Sequence, residues 1–165
     1  MSQPSFRDSA ERNFNDLDAD GDGYLTRYDY MALAQRRLER GGVHVESPEG
    51  EAVIDAFLRA WDTHASALDT DRDGRISKAE YVRSFETLAR TGALEAVLSP
   101  ISRATFTVAD RDGDGWISAA EFGALWSRSG TDLTSAFARA DADGDGRISF
   151  EEYARARHGL LIGDA

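Results

Sequence analysis

Carboxylates recur in this chain at a fixed spacing. Asp18, Asp20 and Asp22 alternate ahead of Gly23. The arrangement returns as Asp69, Asp71 and Asp73 with Gly74, as Asp110, Asp112 and Asp114 with Gly115, and as Asp141, Asp143 and Asp145 with Gly146. An acid closes each stretch at the same offset: Asp29, Glu80, Glu121 and Glu152. Short carboxylates at alternate positions of a tight turn surround a point with oxygen, and the glycine permits the sharp turn between them. The chemistry this implies is the holding of a hard divalent cation, calcium before others, because calcium takes 6–8 oxygen ligands.

The other positions of each stretch agree with that assignment. Position 7 donates only its backbone carbonyl, so its side chain is free to vary; it is Tyr24, Arg75, Trp116 or Arg147. Position 9, which often acts through a water, is always a hydroxyl: Thr26, Ser77, Ser118 or Ser149. That hydroxyl also precedes the closing acid by three residues, a helix N-cap signature. One carboxylate cannot fully serve both cap and metal, and the cation is expected to prevail because its charge dominates the turn. The four-fold repetition leaves little room for a coincidental set of solvated Asx turns. Up to four calcium ions are expected. Asp29 is one methylene shorter than Glu, so the first site is expected to bind calcium least well and to tolerate magnesium best.

Elements that position these turns are legible around them. Ala10, Phe14 and Leu17 precede the first turn at helical spacing; Ile54, Phe57, Leu58 and Trp61 precede the second; Leu133, Ala136, Phe137 and Ala140 precede the fourth. Phe14, Phe106 and Phe137 each stand four residues before their turn, whereas the second turn has Ala65 there, so its entering helix must pack differently. Tyr30, Tyr81, Phe122 and Tyr153 follow the closing acids and open the exiting helices, where they read as packing residues. Position 8 is Leu25, Ile76, Ile117 or Ile148, apolar and suited to a short strand contact between partner turns.

The expected fold is all-α: four helix-loop-helix units in two pairs packed into a compact body, with short antiparallel β contacts between paired loops. Residues 1–92 form the first pair, with loops 18–29 and 69–80, and residues 99–165 the second, with loops 110–121 and 141–152. Gly41-Gly42 and Thr91-Gly92 end helices, while Ser47-Pro48 and Ser99-Pro100 start them. His44, His64 and His158 lack metal-ligand spacing and are assigned to helix or linker surface.

Composition narrows the function. The chain has 165 residues and a formal charge of −11; sixteen of its 30 acids sit at the proposed ligand positions, and four bound divalent cations would bring the charge to −3. Such acidity argues against nucleic acid as a partner. Without cysteine, disulfides and thiolate zinc sites are excluded. The start, Met1 to Asp8, has no apolar signal-peptide core, Ser2 excludes N-myristoylation, and no apolar run is long enough to span a membrane, so a cytoplasmic monomer is expected. The acid clusters read as ligand sets rather than as catalytic pairs, so no enzyme is expected.

These loops resemble the EF-hand superfamily. Within it, the chain length, the unequal loop spacings and Leu25-Thr26-Arg27-Tyr28-Asp29-Tyr30 resemble the calerythrin and sarcoplasmic calcium-binding protein group, nearest to small actinobacterial calcium-binding proteins. That group often closes its first loop with Asp, which implies that Asp29 supports binding. Its second loop is commonly degenerate, whereas here Asp69, Asp71, Asp73, Gly74 and Glu80 are all present and read as a binding loop. The resemblance implies a calcium buffer or store. With two methionines in the chain, a sensor's adaptable Met-rich groove is the weaker expectation, and a captured protein target belongs to that alternative.

Overall fold

Short polar residues set the helix starts, and glycines end two of the helices. Ser5 caps α1 (Phe6–Leu17), its hydroxyl accepting from the N–H of Asp8 at 3.2 Å. Ser47 caps α3 (Pro48–Leu68), accepting from Gly50 N–H at 3.0 Å with Pro48 in the first turn. A Cβ at Gly50 would lie 2.2 Å from the His44 carbonyl, so the linker folds directly onto this helix start. α2 (Arg27–Gly41) and α4 (Lys78–Thr91) end in left-handed caps at Gly42 and Gly92, as expected.

The computed structural model describes residues 5–126 and 132–162. Residues 1–4, which carry part of the leader-sequence expectation, lie outside them. The remaining elements are β1 (Tyr24–Leu25), β2 (Ile76–Ser77), α5 (Leu94–Ala109), β3 (Ile117–Ser118), α6 (Ala119–Trp126), α7 (Leu133–Ala140), β4 (Arg147–Ile148) and α8 (Phe150–Ile162). Two small antiparallel sheets join the loops pairwise. β1 pairs with β2 so that Leu25 faces Ile76, and β3 with β4 so that Ile117 faces Ile148. All four of these position-8 side chains are fully buried.

One apolar core serves all the helices. It runs from Ala10, Phe14 and Leu17 through Leu38, Phe57, Tyr81 and Phe85 to Ile101, Phe106, Leu125 and Ile148. α3 packs chiefly on α5 and α2, and α1 lies against both α4 and α8, so the two halves share an interior. Each large apolar side chain buried this way contributes about 1.5–3 kcal/mol. Aromatic rings lock the pairs reciprocally. Phe14 meets Tyr81 edge-on at 5.6 Å, Phe137 meets Phe122 at 5.6 Å and Phe106 meets Tyr153 at 5.9 Å. In the fourth combination Ala65 leaves a gap, and Trp61, one turn earlier on α3, reaches Tyr30 at 5.4 Å. That is how the second entering helix packs differently.

Two expectations fail here. Ser99-Pro100 does not start a helix: α5 begins at Leu94 and carries Pro100 in its interior. Pro100 offers no N–H to the carbonyl of Ala96 and crowds that turn, but the helix is held by burial of Leu94, Val97, Leu98 and Ile101. His64 is not on the surface but fully buried on α3. Its Nε2 is 3.0 Å from the carbonyl of Val97, and its Nδ1 meets the hydroxyl of Tyr30. Because a carbonyl only accepts, Nε2 carries the proton, and Nδ1 accepts from Tyr30. The imidazole therefore ties α2, the exiting helix of the first loop, to α5, the entering helix of the third.

Burial, reinforced by the charge of Arg157 and opposed by the bond to Val97, lowers the His64 pKa to about 4. The unfolded chain, with the ordinary value near 6.5, binds more protons between these limits, so stability falls as pH drops from about 6.5 to about 4. His64→Leu is expected to flatten that part of the pH dependence. It also strands Tyr30 and Val97, costing about 2–4 kcal/mol at neutral pH; chemical denaturation across the pH range checks both effects.

Candidate metal centres

Backbone N–H groups arrange the carboxylates before any cation is considered. In every loop the first Asp accepts from the N–H of the position-6 glycine: Gly23 at 3.0 Å, Gly74 at 3.1 Å, Gly115 at 2.9 Å and Gly146 at 3.0 Å. The second Asp accepts from the N–H of the third: Asp22 to Asp20, Asp73 to Asp71, Asp114 to Asp112 and Asp145 to Asp143, at 3.1–3.2 Å. The third accepts from position 7 at 2.9 Å in all four loops. An ionised carboxylate has about four lone-pair sites, so these bonds orient the group and leave acceptor capacity for a ligand.

The closing acid bridges the loop. One oxygen of Glu80 accepts from the N–H groups of Thr70 and Asp71 at 3.0 and 3.2 Å; the other accepts from the N–H and hydroxyl of Ser77 at 2.9 and 2.8 Å. Glu121 spans from Arg111 at 2.9 Å to Ser118, and Glu152 from Ala142 at 2.9 Å to Ser149. The shorter Asp29 makes the same span, from Ala19 at 2.8 Å to the N–H and hydroxyl of Thr26 at 2.7 and 2.8 Å, and it is buried. In the other three loops the serine hydroxyl also accepts from the N–H of the closing Glu, completing the capping box expected from the spacing.

These bonds compete with burial in setting the charge of the closing acids. Desolvation raises the Glu80 pKa, but the N–H and hydroxyl of Ser77, the hydroxyl of Thr70 and the N–H of Asp71 together outweigh it and bring the value down to about 2. Glu121 and Glu152 are likewise lowered, chiefly through Ser118 and Ser149, against the same desolvation. Asp110 moves the other way, raised foremost by desolvation. Glu80, Glu121 and Glu152 are thus ionised at neutral pH.

The oxygens converge into four tight groups with one ligand atom per residue, all within 4.8 Å of one another: Asp18, Asp20 and Asp22; Asp69, Asp71 and Asp73; Asp110, Asp112 and Glu121; Asp141, Asp143 and Glu152. In the first two loops the closing acid lies outside the tight group, and in the last two Asp114 and Asp145 do. Tyr24 and Arg147 lie in the paired strands; Arg75 and Trp116 stand immediately before theirs. Thr26, Ser77, Ser118 and Ser149 stand at the helix starts. An all-oxygen set without nitrogen or sulfur suits calcium or magnesium rather than zinc.

Two features went unread in the sequence. Position 4 is Gly21, Gly113 or Gly144 in three loops, all left-handed, but Arg72 in the second, with φ at +59°. A left-handed L-residue costs roughly 1–2 kcal/mol; the missing glycine at that register was the available signal. The other is the set of contacts made by the position-7 arginines. Arg75 lies 4.1 Å over the ring of Tyr24 and 3.3 Å from Asp73; Arg147 lies 4.3 Å over Trp116 and 3.3 Å from Asp145.

The chain matches an EF-hand domain pair over residues 7–86 and 99–156. It is 28% identical over 132 residues to calerythrin of Saccharopolyspora erythraea, covering 78% of this chain and 75% of that protein. It is 25% identical over 123 residues to a sarcoplasmic calcium-binding protein of Hediste diversicolor, covering 74% and 68%. Among solved structures, a Streptomyces coelicolor calcium-binding protein described in terms of prokaryotic calcium-mediated regulation superimposes with a TM-score of 0.79 at 27% identity, covering 98% of this chain and all of that one.

Replacing the strained arginine is expected to help the metal-free fold. Arg72→Gly should stabilise the chain by about 0.5–1 kcal/mol, strain relief exceeding the entropy cost of glycine, whereas Gly21→Arg should destabilise it by about 1–2 kcal/mol. Urea denaturation of the calcium-stripped variants measures both.

Proposed function

Since the chain belongs to the EF-hand family of calcium-binding proteins, of the calerythrin and sarcoplasmic type and not an enzyme, we propose that it is a four-site calcium buffer or store. In this reading the halves 1–92 and 99–165 each supply two sites. The ligands are the carboxylates of Asp18, Asp20, Asp22 and Asp29; Asp69, Asp71, Asp73 and Glu80; Asp110, Asp112, Asp114 and Glu121; and Asp141, Asp143, Asp145 and Glu152. The carbonyls of Tyr24, Arg75, Trp116 and Arg147 join them, and Thr26, Ser77, Ser118 and Ser149 act through water. A bound divalent cation offsets the mutual repulsion of each loop's carboxylates and so favours the folded chain. Magnesium competes, foremost at the first loop, where Asp29 closes the ring with the shorter arm.

One observation carries the buffer over other calcium-dependent roles. The apolar faces of the helices are already spent on a core shared by both halves, and among residues 5–126 and 132–159 Tyr28 is the only large apolar side chain left exposed. A chain so packed has little surface to reveal on loading. Among the described residues no helix is long and apolar enough to cross a membrane. In this reading the protein acts in the cytoplasm as a monomer. The second reading, a sensor with a protein target, draws on the Streptomyces coelicolor relative, whose described role is calcium-mediated regulation.

Calcium titration with an apolar dye and measurement of hydrodynamic size separates the two readings. The buffer is expected to compact with little or no rise in dye fluorescence. A several-fold rise would instead establish the sensor.

A further inference from the structure

The same three-part contact occurs in both loop pairs. In the first, the Nε and Nη2 of Arg75 each lie 3.3 Å from Oδ2 of Asp73, while the guanidinium carbon sits 4.1 Å over the ring of Tyr24 in the partner loop. In the second, Nε of Arg147 lies 3.3 Å from Oδ2 of Asp145, and its guanidinium carbon sits 4.3 Å over the ring of Trp116. The sheet register explains the recurrence. Tyr24 faces Ser77 and Ser118 faces Arg147, so position 7 of one loop lies diagonally across the ladder from position 7 of the other, within reach of long and aromatic side chains. An aromatic at position 7 of the odd loop and an arginine at position 7 of the even loop therefore meet in each pair.

We propose that Arg75 and Arg147 are built-in counter-ions that lower the cation affinity of loops 2 and 4, each held against its own loop's third aspartate by stacking on the aromatic ring of the partner loop. The proposal rests on the calcium-binding reading above and names residues that tune it. The guanidinium draws on the lone pairs of a carboxylate that a cation also needs, and it adds positive charge beside the site. In loop 2 the effect is compounded, because Arg72, Arg75 and Lys78 offset three of the four acids within residues 69–80. Loops 1 and 3 put a neutral ring at the same position. The tyrosine or tryptophan restrains the arginine that would otherwise extend into water, since a planar guanidinium stacks on an aromatic face. A chain whose sites differ in this way takes up calcium over a wider range of concentrations than four equal sites would.

The position-6 glycine amides give one reporter per loop, because each donates to the first aspartate of its own site. Calcium titration of the full chain is followed by two-dimensional amide NMR at Gly23, Gly74, Gly115 and Gly146, in the wild type, Arg75→Gln, Arg75→Lys, Tyr24→Leu and the Tyr24→Leu/Arg75→Gln double variant. Arg75→Gln is expected to lower the midpoint at Gly74 by roughly three- to tenfold, the range set by a half-exposed charge close to the site. Arg75→Lys, which keeps the charge but loses the planar stack, should shift it less. Tyr24→Leu should lower the Gly74 midpoint in the wild type but not in the Arg75→Gln background. Unchanged titrations at Gly115 and Gly146 report an intact fold. If all four glycines titrate but the Gly74 midpoint is the same with and without Arg75, or if Tyr24→Leu shifts it equally in both backgrounds, the counter-ion role is overturned while calcium binding stands. If no glycine responds to calcium, the binding reading itself falls and this inference with it.

Discussion

Mutual repulsion among carboxylates gathered in tight turns is the constraint on which this structure rests. Three aspartates and a closing acid share each loop, and the chain meets their repulsion first with its own backbone. N–H groups at positions 5, 6 and 7 donate to the aspartates, and those at positions 2 and 9 donate to the closing acid in every loop. Such charge-assisted bonds are stronger than neutral ones and hold the oxygens together without consuming their full acceptor capacity. These bonds hold the turns in a shape that suits a cation, and what the backbone leaves unbalanced is charge.

Everything beyond the loops serves to keep them paired and oriented. Position-8 side chains bury themselves between partner loops, and the rings at the ends of entering helices interlock with the rings that begin exiting ones. Because α1 packs on α8 and α3 on α5, the halves do not swing independently. His64 adds a polar tie through this interior, satisfied on both sides by Tyr30 and Val97. A buried group with both partners in place rigidifies its surroundings, and removing one partner costs far more than the bond is worth. This shared, tied interior is what supports the proposed buffer, which takes up ions without exposing a groove.

Much of this was legible in the sequence because the ligand pattern is local. Twelve consecutive residues carry most of each site's chemistry, so the loops, their pairing, the glycine caps at Gly42 and Gly92 and the start at Ser47-Pro48 could all be read from spacing. What could not be read depends on contacts between distant segments. Pro100 carries the local signal of a helix start, yet tertiary burial of its neighbours on α5 overrides it. His64 has no periodic signature distinguishing a core imidazole from a surface one, and only the approach of α2 and α5 decides it. Trp61 takes the place of a missing phenylalanine because α3 presents it one turn earlier on the same face. The stacking of Arg75 on Tyr24 follows from strand register, which a single loop does not disclose.

Calorimetric titration of the calcium-stripped chain reads the capacity of the carboxylate turns with no reporter in between. Four equivalents of calcium taken up per chain, accompanied by a higher thermal midpoint, is the result expected if backbone-ordered acids await a divalent ion. No uptake at millimolar calcium from a folded, thoroughly stripped sample would contradict it.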